Sequence, residues 1–148
     1  MILRLALAAL HLLALGIGLG AVHGRARALR ELGAAPDALR RALRADAWWG
    51  AAAALWLATG LWRALAGTEK SPAYYWSNPV FHAKLGLFVL IFALELRPMV
   101  VLGRWRRGAP ADAALGRRLA ATSDVQTALL VLIVVAATAM ARGYGARP

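Results

Sequence analysis

The chain has 148 residues, of which 61% are hydrophobic, and it carries a formal net charge of +11 and no cysteine. Soluble domains are ordinarily about half apolar, so this composition indicates a membrane protein. The absence of cysteine excludes disulfides, zinc–thiolate sites, iron–sulfur clusters and thiol catalysis. The basic residues concentrate in two short segments between apolar runs, a distribution that sets membrane topology and does not indicate nucleic-acid binding.

Four apolar runs predict membrane-spanning helices at about residues 2–24, 46–66, 79–103 and 122–142. Each run is about 20 residues long, which suffices to cross a hydrocarbon core of about 30 Å as an α-helix. The first run resembles a signal peptide in its small residues, but its length and the basic residues after it favour a retained helix. The sequence therefore predicts an all-α fold: a single transmembrane domain over residues 1–148, an integral membrane four-helix bundle of two antiparallel hairpins.

Basic residues in the connecting segments predict the orientation of these helices. The segments 25–45 and 104–121 are rich in arginine, whereas the middle loop carries Lys70, with Arg63 at its edge. By the positive-inside rule, both arginine-rich loops are cytoplasmic and both termini lie outside. Aromatic residues fall at both predicted boundaries, as expected of rings that favour the headgroup layer: Trp48, Trp49 and Trp105 inside, and Trp62, Tyr74, Tyr75 and Trp76 outside.

Each arginine-rich loop also contains a signal for the start of a helix. Pro36-Asp37 and Pro110-Ala-Asp112 place a proline and an acid where a first helical turn has free N–H groups. We therefore expect the second and fourth helices to begin several turns before their apolar runs, in the cytoplasm.

Small residues predict how the first two helices pack. Gly16, Gly20 and Gly24 are spaced four apart in the first helix, and Gly50 begins a similar series in the second helix. Because helix association in lipid relies on close backbone contact, we expect these stripes to face each other in the hairpin.

Three polar residues in the spans are candidates for a cofactor site, because an ionisable side chain inside a bilayer is costly. His11 lies near mid-membrane, and His82 and Lys84 lie in the first turns of the third helix. His11 suits an axial haem ligand or a proton relay, or else hydrogen bonding to a neighbouring helix. Joint ligation by His11 and His82 is less favoured because their estimated depths differ by about 8 Å. Lys84 also suits snorkelling to the outer headgroups.

Four further charged residues gather toward the cytoplasmic side, and we expect them to serve as structural polar groups: Asp46, Glu95, Arg97 and Asp124. Asp46 and Asp124 suit the first turns of the second and fourth helices, where acids cap free N–H groups. Glu95 and Arg97 lie just before the bend expected at Pro98 and suit ion pairs with other helices.

No soluble-enzyme signature appears in the sequence: there is no phosphate loop, His-Glu-x-x-His motif, nucleophile elbow or Rossmann glycine pattern. Three histidines without cysteine or a carboxylate cluster do not indicate a dedicated transition-metal site either. The sequence favours a non-enzymatic role without settling the question.

Five segments of the chain form a recognisable pattern: residues 44–50, 57–63, 75–88 and 94–99, and Arg104-Trp-Arg106. With these segments, nearly the whole chain resembles an uncharacterised bacterial family of four-helix membrane proteins of unknown function. The resemblance implies a multi-pass protein of the bacterial cytoplasmic (inner) membrane and implies no activity.

A looser resemblance concerns His11 and the Phe81-His-Ala-Lys-Leu85 start of the third helix. These features are similar to those of copper-resistance D-type membrane proteins and of haem-containing membrane protoporphyrinogen oxidases. That resemblance implies haem b near His11 and Lys84.

Three functions follow as alternatives. The first is an accessory or structural subunit of a larger membrane complex, with lipid and either protein partners or a homo-oligomer around it. The second is a haem b-binding redox membrane protein using His11, His82 and Lys84. The third is a small proton or solute transporter using His11, Lys84 and Glu95.

Overall fold

The computed structural model describes residues 2–65 and 76–145. Four helices occupy these ranges: α1 (Ile2–Arg30), α2 (Ala38–Leu65), α3 (Pro79–Arg106) and α4 (Ala113–Ala141). They form an all-α helical bundle, which confirms the predicted fold class. The part of the predicted outer loop that contains Lys70, Tyr74 and Tyr75 lies outside the described residues.

The helices extend beyond the predicted apolar runs at the arginine-rich end of the molecule. α1 continues to Arg30, and α2 and α4 begin at Ala38 and Ala113, soon after the two Pro-Asp signals. The Asp112 carboxylate caps α4 by accepting hydrogen bonds from the backbone N–H groups of Ala114 and Leu115 at 2.7 and 3.3 Å. The predicted early starts of α2 and α4 are thus correct, whereas the continuation of α1 through its arginines was not expected.

The two halves of the chain are antiparallel hairpins joined through α1 and α4. In the first hairpin, His11 meets Thr59 and Arg25 meets Asp46, so residues later in α1 face residues earlier in α2. α1 packs against both α2 and α4, and α4 packs against α3, whereas the backbones of α2 and α3 come close at only a few positions. The order across the bundle is therefore α2, α1, α4, α3, with a cleft between the two outer helices.

Three of the four helices, α1, α3 and α4, are long and apolar enough to cross a membrane. α2 is not among them, because it carries arginines in its first two turns and four tryptophans further along, at positions 48, 49, 56 and 62. Tryptophan favours the membrane interface over the hydrocarbon core. A fourth spanning helix stays a prediction.

The contact between α1 and α2 uses different small residues from those expected. A Cβ added at Gly16, Gly20, Gly24 or Gly50 would meet nothing within 4 Å, whereas one at Gly18 would lie 3.1 Å from the Trp49 ring. The predicted packing of the first four glycines within this hairpin is therefore wrong. The reason is helical phase: the buried stripe of α1 runs through Ala14, Gly18 and Val22, which points Gly16 and Gly20 outward.

Candidate functional site

The largest fully buried side chain in the described ranges belongs to Arg25, whose exposed fraction is 0%. Its Nε donates to Ser123 Oγ at 3.1 Å. Nη1 donates to Asp46 Oδ1 at 2.9 Å and to Glu95 Oε1 at 2.7 Å. Nη2 donates to Glu95 Oε2 at 2.8 Å and to Gln126 Oε1 at 2.9 Å. These five bonds use all five N–H groups of a guanidinium and connect α1 to each of the other three helices.

The acceptors around Arg25 are themselves held by further bonds. The Gln126 amide Nε2 donates to Glu95 Oε2 at 2.8 Å and to the Ile91 carbonyl at 3.2 Å. Arg106 donates to the second carboxylate oxygen of Asp46 and to the Leu43 carbonyl, both at 3.1 Å. We call Arg25, Asp46, Glu95, Ser123 and Gln126 the Arg25 cluster. With the half-exposed Arg106 included, two cations face two carboxylates, so the charges in and around the cluster are balanced.

The Arg25 cluster suits a structural role. A buried charge is tolerated when it is paired and its hydrogen-bonding groups are satisfied, and Arg25 meets both conditions. Its bidentate pair with Glu95 has the planar geometry that makes Arg–carboxylate pairs strong. The cluster therefore fixes the relative positions of four helices at the arginine-rich end of the bundle.

The structure separates the four residues expected to be structural polar groups. Asp46 and Glu95 meet at Arg25, whereas Asp124 pairs with Arg30 on the exposed surface. Arg97 is exposed and forms no ion pair with any residue in the described ranges. Asp46 and Asp124 do not cap their helices, because α2 and α4 begin well before them.

The role of Arg25 was not predicted, because the residue counts among the loop arginines that set topology when α1 is expected to end near residue 24. A signal was present in the spacing of the buried residues. Arg25 continues the stripe of Gly18 and Val22 with the helical repeat of three to four residues, whereas Arg27 and Arg30 leave it. An arginine on the apolar face of a helix indicates a buried ion pair.

His11 lies in a second polar centre, about a third of the way along α1. Its Nδ1 is 2.9 Å from Thr59 Oγ1, and its Nε2 accepts a hydrogen bond from Trp56 Nε1 at 3.0 Å. The Thr59 hydroxyl donates to the Leu55 carbonyl at 2.7 Å, so it accepts from His11 Nδ1–H. This arrangement is that of a neutral imidazole with both nitrogens bonded to α2. Gly60 admits the ring, since a Cβ there would lie 3.1 Å from His11 Cε1.

The cleft between α2 and α3 opens beside this histidine. Its volume is about 210 Å³, and its lining includes His11, Trp56, Lys84 and Phe88. His82 does not line the cleft; it is exposed, and its Nε2 lies 2.9 Å from the Trp76 carbonyl oxygen. The structure thus brings His11 and Lys84 to one cavity and places His82 elsewhere.

This arrangement does not fit ligation of haem. An axial histidine ligand needs a free ring nitrogen lone pair, and in His11 that lone pair accepts from Trp56. The cleft is also smaller than the range of about 300–1,000 Å³ that is usual for small-molecule sites. Within residues 2–65 and 76–145, no three histidine or acidic side chains converge as a metal site would require.

Comparison with known proteins adds one finding. A family model with the description "Predicted membrane protein (DUF2214)" matches residues 3–145. The match confirms the expected resemblance to an uncharacterised membrane protein family. Neither the curated proteins nor the solved structures provide a significant match. The looser resemblance to the copper-resistance and haem-containing proteins stays a prediction.

Proposed function

The chain belongs to the DUF2214 family of predicted membrane proteins, and we propose that it serves as an accessory, structural subunit of a larger membrane complex. The observation that carries this proposal is the outward face of α2. A stripe of small exposed residues runs along this face, flanked by exposed leucines and tryptophans. The stripe comprises Ala47, Gly50, Ala51, Ala54 and Ala58.

The exposed side chains of α3 and α4 differ in size from those of the small-residue stripe on α2. The outward faces of α3 and α4 are bulky and apolar, with Phe92, Leu96, Val131, Leu132 and Val135 each about half exposed. Bulky apolar side chains lose nothing in contact with lipid, whereas small residues let another helix approach the backbone closely. The α2 face therefore suits a helix of a partner protein, and the faces of α3 and α4 suit lipid.

The composition of α2 supports the same assignment. It is the one described helix that falls short of the apolarity of a membrane span. Trp62 is exposed on it, and aromatic residues are enriched where proteins meet. A helix of this kind is better solvated by protein than by lipid.

The buried polar groups also fit a structural role. Arg25, Asp46 and Glu95 hold the helices together, and His11 is bonded through both ring nitrogens to α2. A redox or transport mechanism would need ionisable groups such as His11 and Glu95, and here these groups are engaged in bonds between helices. Haem binding and transport stay predictions from the sequence.

We place the protein in the bacterial cytoplasmic membrane with the arginine-rich end inside. The arginines of both loops lie at one end of the bundle, since the Arg106 side chain reaches the Leu43 carbonyl of α2. Positive charge collected at one end is typical of the cytoplasmic side.

Site-specific photo-crosslinking in native membranes tests the subunit proposal. A photoreactive residue at Ala54 should give a discrete product heavier than the 15.8 kDa chain, whereas one at Ala93, exposed on α3, should not. Mass spectrometry of the product should identify a different membrane protein. Equal labelling at both positions, or a product made of two copies of this chain, would contradict the proposal.

Two leucine substitutions provide an independent test of the same face. Gly50→Leu with Ala54→Leu should abolish the heavier assembly on native gels, because the larger side chains keep the partner backbone away. Ala93→Leu with Ala128→Leu, at exposed positions on α3 and α4, is the matched control and should leave the assembly intact.

A further inference from the structure

A groove on the surface of the first hairpin combines charged and apolar residues that neither the Arg25 cluster nor the cleft at His11 involves. Its volume is about 600 Å³, within the range of small-molecule sites. We call it the arginine groove and define it by Ile17, Ala21, Arg27, Arg41, Arg44 and Trp48, which all line it.

The part of the groove nearest the arginine-rich end of the bundle is positively charged. Glu31 also lines it, so three arginines against one glutamate leave a net charge of +2. Arg41 pairs with Glu31 and with Asp37, and this pairing ties the end of α1 to the start of α2. Arg27 and Arg44 are exposed, and across residues 2–65 and 76–145 neither forms an ion pair. Two guanidinium groups are thus available to an anion.

The part of the groove farther from the arginine-rich end is apolar and belongs to the predicted membrane span of α1. Ile17 and Ala21 belong to the apolar run of α1, and Trp48, 57% exposed, marks the interface on α2. Ten residues separate Ile17 from Arg27, which corresponds to about 15 Å along a helix. This distance is about half of a hydrocarbon core of about 30 Å, the depth of one leaflet. The groove therefore has the length of a lipid acyl chain below a polar headgroup.

We propose that the arginine groove is a binding site for an anionic phospholipid. Arg27 and Arg44 bind the headgroup phosphate, since guanidinium groups match phosphate oxygens in bidentate geometry. One acyl chain lies along Ile17 and Ala21 beside Trp48. Basic pockets between membrane helices recognise anionic headgroups in this way. The site is separate from the outward face of α2, so it stands or falls independently of the subunit role.

Native mass spectrometry of the full chain tests this site. The protein is released from detergent micelles that contain phosphatidylglycerol or phosphatidylcholine with identical acyl chains. We expect retention of phosphatidylglycerol several-fold above phosphatidylcholine. Arg27→Gln with Arg44→Gln should weaken it about tenfold, because it removes both unpaired guanidinium groups. Arg117→Gln with Arg118→Gln, at exposed positions in α4, removes the same charge and should change little.

A glycine pair separates the groove from general effects of charge and folding. Gly24 lines the groove and Gly16 does not, and a Cβ at either position would meet nothing within 4 Å. Gly24→Leu should reduce lipid retention by filling the groove, whereas Gly16→Leu should not. If the double arginine variant fails to fold, this glycine pair alone tests whether the lipid lies in the groove. Equal loss in both members of either pair would overturn the proposal. So would equal retention of the two lipids, or displacement of the lipid by inorganic phosphate at a comparable concentration.

Discussion

The Arg25 guanidinium forms a bidentate pair with the Glu95 carboxylate, with its two terminal nitrogens 2.7 and 2.8 Å from the two carboxylate oxygens. The two residues are 70 positions apart in the chain, and their pair joins the first hairpin to the second. Removing one partner of a buried ion pair leaves an uncompensated charge, which is far more costly than the pair is stabilising.

Replacing Arg25 by leucine should therefore destabilise the bundle severely. Arg25→Leu leaves Asp46 and Glu95 without their shared cation, and we expect it to lower the free energy of unfolding by about 3–5 kcal/mol. Arg27→Leu removes an exposed arginine two residues away and should cost less than about 0.5 kcal/mol. Unfolding in mixed micelles of increasing SDS fraction measures both. Equal effects of the two substitutions would contradict the central role of Arg25.

Replacing His11 should affect stability first. His11→Ala leaves Trp56 Nε1 without an acceptor, whereas the Thr59 hydroxyl keeps its bond to the Leu55 carbonyl. An unsatisfied buried donor costs about 1–3 kcal/mol. His82→Ala, at an exposed position, should leave the unfolding midpoint nearly unchanged.

The same His11 variant tests the haem alternative through absorbance. Spectra of the detergent-purified protein, oxidised and then reduced with dithionite, would show a Soret band if haem is bound. A band in the parent protein that His11→Ala abolishes and His82→Ala leaves intact would overturn the structural assignment of His11.

Substitution by leucine should destabilise the fold at Gly18 and have little effect on it at Gly16. A side chain at Gly18 would press on the Trp49 ring, 3.1 Å from the ideal Cβ position, and on Ala52, so Gly18→Leu should cost about 1–3 kcal/mol or prevent folding. Gly16→Leu places the same side chain in open space and should leave the fold of the single chain intact. Thermal unfolding followed by circular dichroism compares the two variants.

The absence of native cysteine allows the orientation to be measured directly. Single cysteines at Arg40 and Tyr144, both exposed, lie near opposite ends of the bundle. With the arginine-rich end inside, a membrane-impermeant maleimide added to intact cells should label Tyr144→Cys and should label Arg40→Cys only after the cells are lysed. The reverse pattern would contradict the positive-inside assignment.

The predicted and observed structures agree where the inference depends on the composition of a segment. The apolar runs predicted four helices, and Asp112 predicted the start of α4, because apolarity and capping act within a few consecutive residues. The failures concern helical phase. Gly16 and Gly18 both belong to a series of small residues four apart, and the spacing alone does not say which series faces the neighbouring helix.

The same reason accounts for the missed cluster. Asp46 and Glu95 were expected to be structural, but their common partner Arg25 was counted among loop charges, because α1 was expected to end near residue 24. The helix continues to Arg30, so Arg25 points into the bundle on the stripe of Val22. His11 shows the converse case: its place in the first helix was readable from the sequence, whereas its bonds to Trp56 and Thr59 depend on the register between two helices.

The distribution of the Arg25 partners along the chain bears on the order of biogenesis. Asp46 lies in the first hairpin, so the guanidinium has a carboxylate beside it as soon as α2 is synthesised. Glu95 and Gln126 emerge from the ribosome later, and they dock onto a cation that is already neutralised within the nascent chain. Insertion can thus proceed hairpin by hairpin without exposing a lone arginine to the bilayer. Arrival of the second hairpin then completes the bonding of Arg25 and closes the assembly.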